Sequence, residues 1–154
     1  YNNAEWSFRY NTNRGAPLSI SGGWTVGSFY TGTRFTPNAN IAYRYGDKIA
    51  ATLRLNYFDV RLDEGSFKTA VVGMNASYSF TPRIYLQANV QYNDDTEDVG
   101  TNIRLGWLDT AGTGLFIVWN DTNHHGMFER TGILAGPKQR QLVIKYSRLF
   151  NMGR

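Results

Sequence analysis

The chain has 154 residues, a formal charge of +4, 18% charged and 15% aromatic residues, and no cysteine. That length is one ordinary domain, and the missing cysteine excludes disulfide frameworks and thiolate metal sites. Sixteen glycines, many Asn and Thr, and few Leu or Glu disfavour helix throughout. In chain order, "AEWSFRY" sets Ala4, Trp6, Phe8 and Tyr10 against Glu5, Ser7 and Arg9. "LSISGGWTVGS" sets Leu18, Ile20, Trp24 and Val26 against Ser19, Ser21, Gly23, Thr25 and Gly27. "RFTPNANIAYRY" puts Phe35, Ala39, Ile41, Tyr43 and Tyr45 opposite Arg34, Thr36, Asn38, Asn40 and Arg44. "IAATLRLNY" opposes Leu53, Leu55 and Tyr57 to Thr52, Arg54 and Asn56, and "TAVVGMNASYSF" opposes Val72, Met74, Tyr78 and Phe80 to Gly73, Asn75, Ser77 and Ser79. "RIYLQANVQYND" separates Leu86, Ala88, Val90 and Tyr92 from Gln87, Asn89 and Gln91. "VGTNIRLGW" continues with Ile103, Leu105 and Trp107 against Asn102, Arg104 and Gly106, and "GLFIVWN" alternates more weakly. "QLVIKYSRLF" closes with Leu142, Ile144, Tyr146 and Phe150 against Val143, Lys145 and Ser147.

Period two over nine runs, punctuated by turn chemistry, predicts nine β-strands and no helix. The breaks are "NRGAP", "YTGT", "GDK", "DEG", "TPR", "NDDTED", "DTAGT" and the long 121–139 segment. Pro37 cannot donate to a ladder, so either a bulge sits there or the third strand begins later. No run approaches the roughly 18 apolar residues of a spanning helix, "LFIVW" being the longest notable one.

Alternation alone also fits a soluble sandwich or lipocalin-like barrel. Three features favour an antiparallel transmembrane β-barrel instead. Aromatic residues gather near the ends of the apolar faces, at Tyr57, Tyr78, Tyr92, Trp107, Trp119, Tyr146 and Phe150 among others, as in an interfacial girdle. The runs are about 9 to 13 residues, the length of tilted spanning strands. The polar faces hold amides, hydroxyls, Gly and isolated Arg, without the Lys and Glu that coat a solvent face. In hydrocarbon every backbone polar group needs a partner, so such a sheet closes on itself.

Loop length orients the barrel, since periplasmic turns are short and outer loops longer. "NDDTED", "DEG", "YTGT" and 121–139 then fall outside, and the other breaks on the periplasmic side. The opening "YNNAEWSF" has no initiator Met, basic start or apolar block. With nine an odd number, residues 1–154 are expected to be a single barrel domain or the C-terminal portion of a larger, even-stranded one.

The segments "GSFYTGTR", "LNYFDVRLDEGSFKT", "YSFTPRIYLQANVQYND", "TNIRLGW", "GTGLFIVWND" and "LVIKYSRLF" resemble an uncharacterised Gram-negative outer-membrane barrel family. Its members often carry an N-terminal carbohydrate-binding module of the family-nine type. The resemblance runs from about Gly23 to Phe150 and implies a C-terminal barrel in the outer membrane, with the soluble module upstream. "LVIKYSRLF" also resembles the terminal signal read by the barrel-assembly machinery. The chain departs from it in the added "NMGR" and in Arg148 on the lipid-facing parity.

Arg9, Arg44, Arg54, Arg104 and Lys145 punctuate the polar side, with Glu5 the one acid of matching parity. They are candidate solute contacts, because a low-dielectric wall focuses the field of its charges. The bland alternative is that they pair with acids elsewhere in the wall or with a plug. Acids are expected in the outer loops, at Asp63, Glu64, Asp94, Asp95, Glu97, Asp98 and Asp121. His124 and His125 near Asp121 would suit a rim-active hydrolase or a metal site, but adjacent histidines on an extended strand point oppositely and no serine partner is evident. Gly22, Gly23, Gly27, Gly73 and Gly106 sit inside strands, where bending or close packing explains them better than a phosphate cradle.

No catalytic residue, metal or cofactor is therefore assigned. The expected function is a pore or transporter wall, or a membrane anchor, for polar, sugar-like or anionic solutes. The alternative is a structural subunit holding an envelope complex through its outer loops. Expected partners are the bilayer, lipopolysaccharide, the barrel-assembly machinery and other envelope proteins, with no nucleic acid.

Overall fold

The computed structural model describes residues 4–109, 113–124 and 139–148. Nine antiparallel strands form one sheet in strict chain order: β1 (Glu5–Asn11), β2 (Leu18–Phe29), β3 (Gly32–Tyr45), β4 (Ile49–Leu62), β5 (Gly65–Thr81), β6 (Ile84–Asn93), β7 (Asp98–Leu108), β8 (Gly114–His124) and β9 (Gln139–Ser147). Among the described residues each strand pairs only with its sequence neighbours, as short turns between period-two segments dictate from β1 to β8. No helix is present among the described residues, and none is long and apolar enough to cross a membrane, which says nothing of strands.

The strands run from 7 residues in β1 to 17 in β5, a wider range than expected. The excess lies in the β4–β5 hairpin, which stays paired to Leu62 and Gly65. Turns alternate between two rims. One rim carries Tyr30–Thr31, Asp63–Glu64 and residues 94–97; the opposite rim carries residues 12–17, 46–48 and 82–83. In the 46–48 turn Gly46 takes a φ of 53°, a left-handed conformation that costs glycine least.

Pro37 behaves differently from expectation. β3 begins at Gly32 and Pro37 pairs with Trp24 of β2. Toward β4 the pairing lapses at Thr36 and Pro37, then resumes at Asn38↔Asn56 in the register that Phe35↔Asp59 had set. No residue is inserted, so there is no bulge: the missing N–H is absorbed by a local gap in one ladder. The irregularity that does occur lies between Ser79 and Thr81, opposite the start of β6.

This sheet has almost no interior. Among the described residues Val60, at 5% exposure, is the buried hydrophobic side chain, and no side chain is fully buried. Trp6 is 72% exposed, Ile144 64%, Leu142 62% and Tyr146 60%. Pairing shows that these residues share one face. Trp6 lies opposite Val26, Val26 opposite Phe35, and the same parity carries Leu55, Val72, Tyr92, Trp119 and Leu142 across to β9.

The apolar face is a band, and the band is oblique. Toward the Tyr30 rim its last apolar residues are Phe35 on β3, Tyr57 on β4, Tyr92 on β6 and Leu142 on β9. The next residues on that face are Thr33, Asp59, Asp94 and Arg140. The pairing row through Leu142 and Trp119 reaches β3 at Tyr43, eight residues beyond Phe35 and six strands away. With about 3.3 Å per residue and about 4.8 Å per strand, that stagger sets the strands about 42° from the band's normal. Spanning barrels tilt their strands by roughly 35–45°. Phe35 to Tyr45 then measures about 33 Å along β3 and about 25 Å across the band, the height of a barrel's lipid-facing zone.

Candidate functional site

The opposite face is polar and carries the candidate residues. Reading across the pairing, one row holds Arg9, Gly23, Asn38, Asn56, Val71, Asn93 and Asp98. The next holds Arg54, Gly73, Gln91 and Gly100, and the one after it Thr52, Asn75, Asn89, Asn102, Asn120 and Gln141. Arg44 and Arg104 share the row of Ala50, Ser77 and Gln87, and Lys145 lies beside Phe116. All five cations singled out in the sequence thus lie on the polar face. The amides between them are partly tied to one another, as where Asn102 donates to Asn120.

Arg104 is the most constrained of the five. Its guanidinium lies 4.8 Å from the centroid of the Phe116 ring, a cation–π contact, and its Nε is buried without a hydrogen-bond partner. Phe116 therefore belongs to the polar wall, which explains the weak alternation of β8. Arg9, Arg44, Arg54 and Lys145 are exposed, and among the described residues none of their side chains is in an ion pair.

Sequence reasoning set Arg34 on the polar side but left it out of the candidate cations, and it missed one acid of this face. Arg34 projects from β3 onto it, and its Nη2 reaches the Glu5 carboxylate at 2.5 Å, two strands away, while its guanidinium lies 5.2 Å from the Phe29 ring. Gly27 stands between Glu5 and Arg34 in the pairing, and a Cβ there would meet Ala4 O at 2.7 Å and Glu5 Cα at 2.9 Å. The side-chain-free gap at Gly27 gives the guanidinium its path to Glu5, and a glycine flanked by opposite charges on neighbouring strands was the available signal. Asp98, expected in a loop, is the first residue of β7 and shares the parity of Asn102 and Arg104, so Glu5 is not the one acid on this side. Asp121, also expected in a loop, lies within β8 on the apolar parity, where its carboxylate takes Arg140 at 3.2 Å.

The glycines divide in two. Gly106 is covered by the Tyr85 ring, whose Cζ would stand 2.4 Å from an added Cβ, whereas Gly73 and Gly100 open onto empty space. Close packing therefore does not account for Gly73; it recesses the wall beside Arg54. Over the next two rows Thr52, Asn75, Ser77, Gln87, Asn89 and Asn102 line a concavity of about 420 Å³.

The expected girdle residues Tyr57, Tyr78, Tyr92, Trp107, Trp119 and Tyr146 all lie on the apolar face. Tyr57, Tyr92 and Trp119 stand next to its edge at the Tyr30 rim, and Tyr78, Trp107 and Tyr146 toward the opposite rim. The Tyr92 hydroxyl donates to Asp94 Oδ1 at 3.2 Å, outside the band. Phe150, His125 and the side chain of His124 lie outside the described residues. Arg148 lies one residue beyond β9.

No protein-family model and no curated protein matches the chain. A solved structure, a KdgM porin, is similar to it with a TM-score of 0.45 and 15% sequence identity, over 78% of this chain and 68% of that one. A likeness at that level decides nothing about function. The polar and apolar faces have to decide it.

Proposed function

We propose that this sheet is the wall of a β-barrel in a Gram-negative outer membrane, and that its polar face lines a water-filled passage for polar solutes with a preference for anions. The oblique apolar band carries this reading. A soluble sandwich needs its apolar face covered by a second layer, whereas a band about 25 Å high crossed by strands tilted about 42° fits a bilayer. β1 and β9 run in the same direction, so antiparallel closure would set an odd number of further strands between them, and a parallel seam is the other geometry that closes the ring. On the polar face of the nine strands six cations (Arg9, Arg34, Arg44, Arg54, Arg104 and Lys145) stand against the acids Glu5 and Asp98. Charge of one sign on a low-dielectric wall raises the local concentration of the opposite ion.

The Tyr30 rim is the extracellular one in this reading, and Arg61 and Lys68, just past the band on its outward face, would meet phosphate-bearing headgroups there. No reaction is assigned to the chain. The test is conductance of the full protein in planar bilayers under a potassium chloride gradient. Discrete channels with a reversal potential favouring chloride are expected. A folded, inserted protein without conductance would replace the pore with the second reading, a sealed anchor.

A further inference from the structure

Measured along their own strands, three of the six cations of the polar face collect at one depth. Arg54 lies three residues in from Tyr57 and Lys145 three in from Leu142, each reference being the band's last apolar residue at the Tyr30 rim, whereas Arg9 lies five in from Ala4 and Arg34 one residue outside Phe35. Arg104 lies five residues in from Val99, which pairs with Tyr92, and one in from Ile103, which pairs with Trp119. It therefore falls between, at the level of Arg54 and Lys145. Three residues are about 10 Å of strand, or about 7 Å below the band's edge after the tilt. In pairing rows Arg54, Arg104 and Lys145 are scattered; the stagger brings them onto one tier. Arg44 does not join it, lying nine residues in from Phe35 and one from Tyr45 at the far edge.

The concavity of about 420 Å³ opens across β4 to β7 beside this tier, lined by residues other than Arg54 and Arg104. Thr52, two residues from Arg54, and Asn102, two from Arg104, form its flanks, with Asn75, Ser77, Gln87 and Asn89 across the middle. Guanidinium groups take anions through charge-assisted, bidentate hydrogen bonds. Side-chain amides and hydroxyls between them both donate and accept, which suits vicinal hydroxyls rather than a bare ion. The open space over Gly73 and Gly100, one row toward the rim, leaves access from the lumen.

We infer that this concavity is a saturable solute subsite for an anionic, polyhydroxylated molecule, its acid group held by Arg54 or Arg104 and its hydroxyls by the amide row. The inference rests on the pore reading for its access and goes beyond it, since a merely positive wall would favour anions without saturating.

The full chain is reconstituted in planar bilayers and in vesicles, with glucuronate, glucose 6-phosphate and glucose as probes. Glucuronate or glucose 6-phosphate should block the chloride current saturably, glucose should not, and the more potent of the two identifies the acid group. One of Arg54→Gln and Arg104→Gln should raise the half-blocking concentration about tenfold, the worth of one charge-assisted contact, and so identify the arginine that holds the acid group. Arg14→Gln, an equal loss of charge in the 12–17 turn, should leave it unchanged. Heat-modifiable migration checks that each variant has folded. Conducting channels whose block does not saturate, is matched by glucose or ignores both substitutions would overturn the subsite and leave the pore standing. Absence of conductance would overturn the pore, and the subsite is then decided by binding to the same vesicles: saturable retention of labelled glucuronate supports it, and none overturns it.

Discussion

One pairing row gives the sharpest test of the tilted band. Ile41, Leu53, Met74, Val90, Thr101, Asp121 and Arg140 lie side by side on the apolar face. Leu53 stands four residues from either end of its strand's apolar run, Ile49 and Tyr57, so it sits about 10 Å below the edge of a band about 25 Å high. Val90 stands two residues from Tyr92, about 5 Å below the edge. An outward Arg costs about 2–4 kcal/mol at the midplane and about 0–1 near an interface. Leu53→Arg should therefore destabilise the folded barrel by about 3 kcal/mol and Val90→Arg by about 1 kcal/mol, while Asn89→Arg on the polar face stays within about 0.5 kcal/mol. Urea titration of folding into phospholipid vesicles, read by tryptophan fluorescence, measures all three. Equal costs for Leu53→Arg and Val90→Arg would refute the tilt, and a cost for Asn89→Arg matching Leu53→Arg would refute the assignment of faces.

Other outcomes follow from single contacts. Gly106→Ala should displace the Tyr85 ring and cost about 1–3 kcal/mol, and most of that cost should vanish in a Tyr85→Ala background, as a double-mutant cycle would report. Gly27→Val collides with the β1 backbone, so hydrogen exchange should accelerate in β1 while β4 to β8 keep their protection. Arg34→Gln breaks the pair with Glu5, but both side chains are substantially exposed, at 33% and 48%; the loss in the urea titration should stay below about 1 kcal/mol. In reversal-potential measurements Arg54→Gln, Arg104→Gln and Lys145→Gln should each reduce chloride preference more than Arg44→Gln. The differences should shrink at high salt, since the Debye length falls from about 10 Å at 0.1 M to about 3 Å at 1 M.

Period two is a property of each strand by itself, so nine strands, their faces and the placement of Arg54 or Tyr92 could be read from the chain alone. What one strand's pattern does not hold is its register against the next. The tier of Arg54, Arg104 and Lys145 therefore stayed hidden: it exists only after the stagger is known, and turns such as Tyr30–Thr31 and Asp63–Glu64 set that stagger one hairpin at a time. The Glu5–Arg34 pair was hidden for the same reason, joining residues 29 apart in sequence across an intervening glycine. Pro37 misled in the other direction. Its missing donor was expected to bend or shorten the strand, but a strand has two neighbours, and a gap toward β4 leaves the ladder to β2 intact. Asp121 misled because a carboxylate on a spanning strand looks costly until the oblique band places it at the edge, beside Arg140.

The β4–β5 hairpin shows most directly that the surroundings change along a single strand. Up to Tyr57 and Ala70 its outward face is Leu53, Leu55, Val72 and Met74, and its inward face Thr52, Arg54, Gly73 and Asn75. Two residues further the order reverses. Asp59, Arg61, Ser66 and Lys68 now face outward, where the Asp59 carboxylate takes Arg61 at 3.3 Å and Lys68 at 3.7 Å, while Phe58, Val60, Leu62 and Phe67 face inward. A one-residue slip in register would exchange the two faces, but the pairing is unbroken from Ile49↔Tyr78 to Leu62↔Gly65, so no slip occurs. A soluble sheet, with water on one side throughout its length, gives no reason for such a switch. A strand that leaves hydrocarbon between Tyr57 and Asp59 does: beyond that point the outward side chains meet water and headgroups, and the apolar ones turn inward, where Val60 finds the deepest burial of any hydrophobic side chain among the described residues.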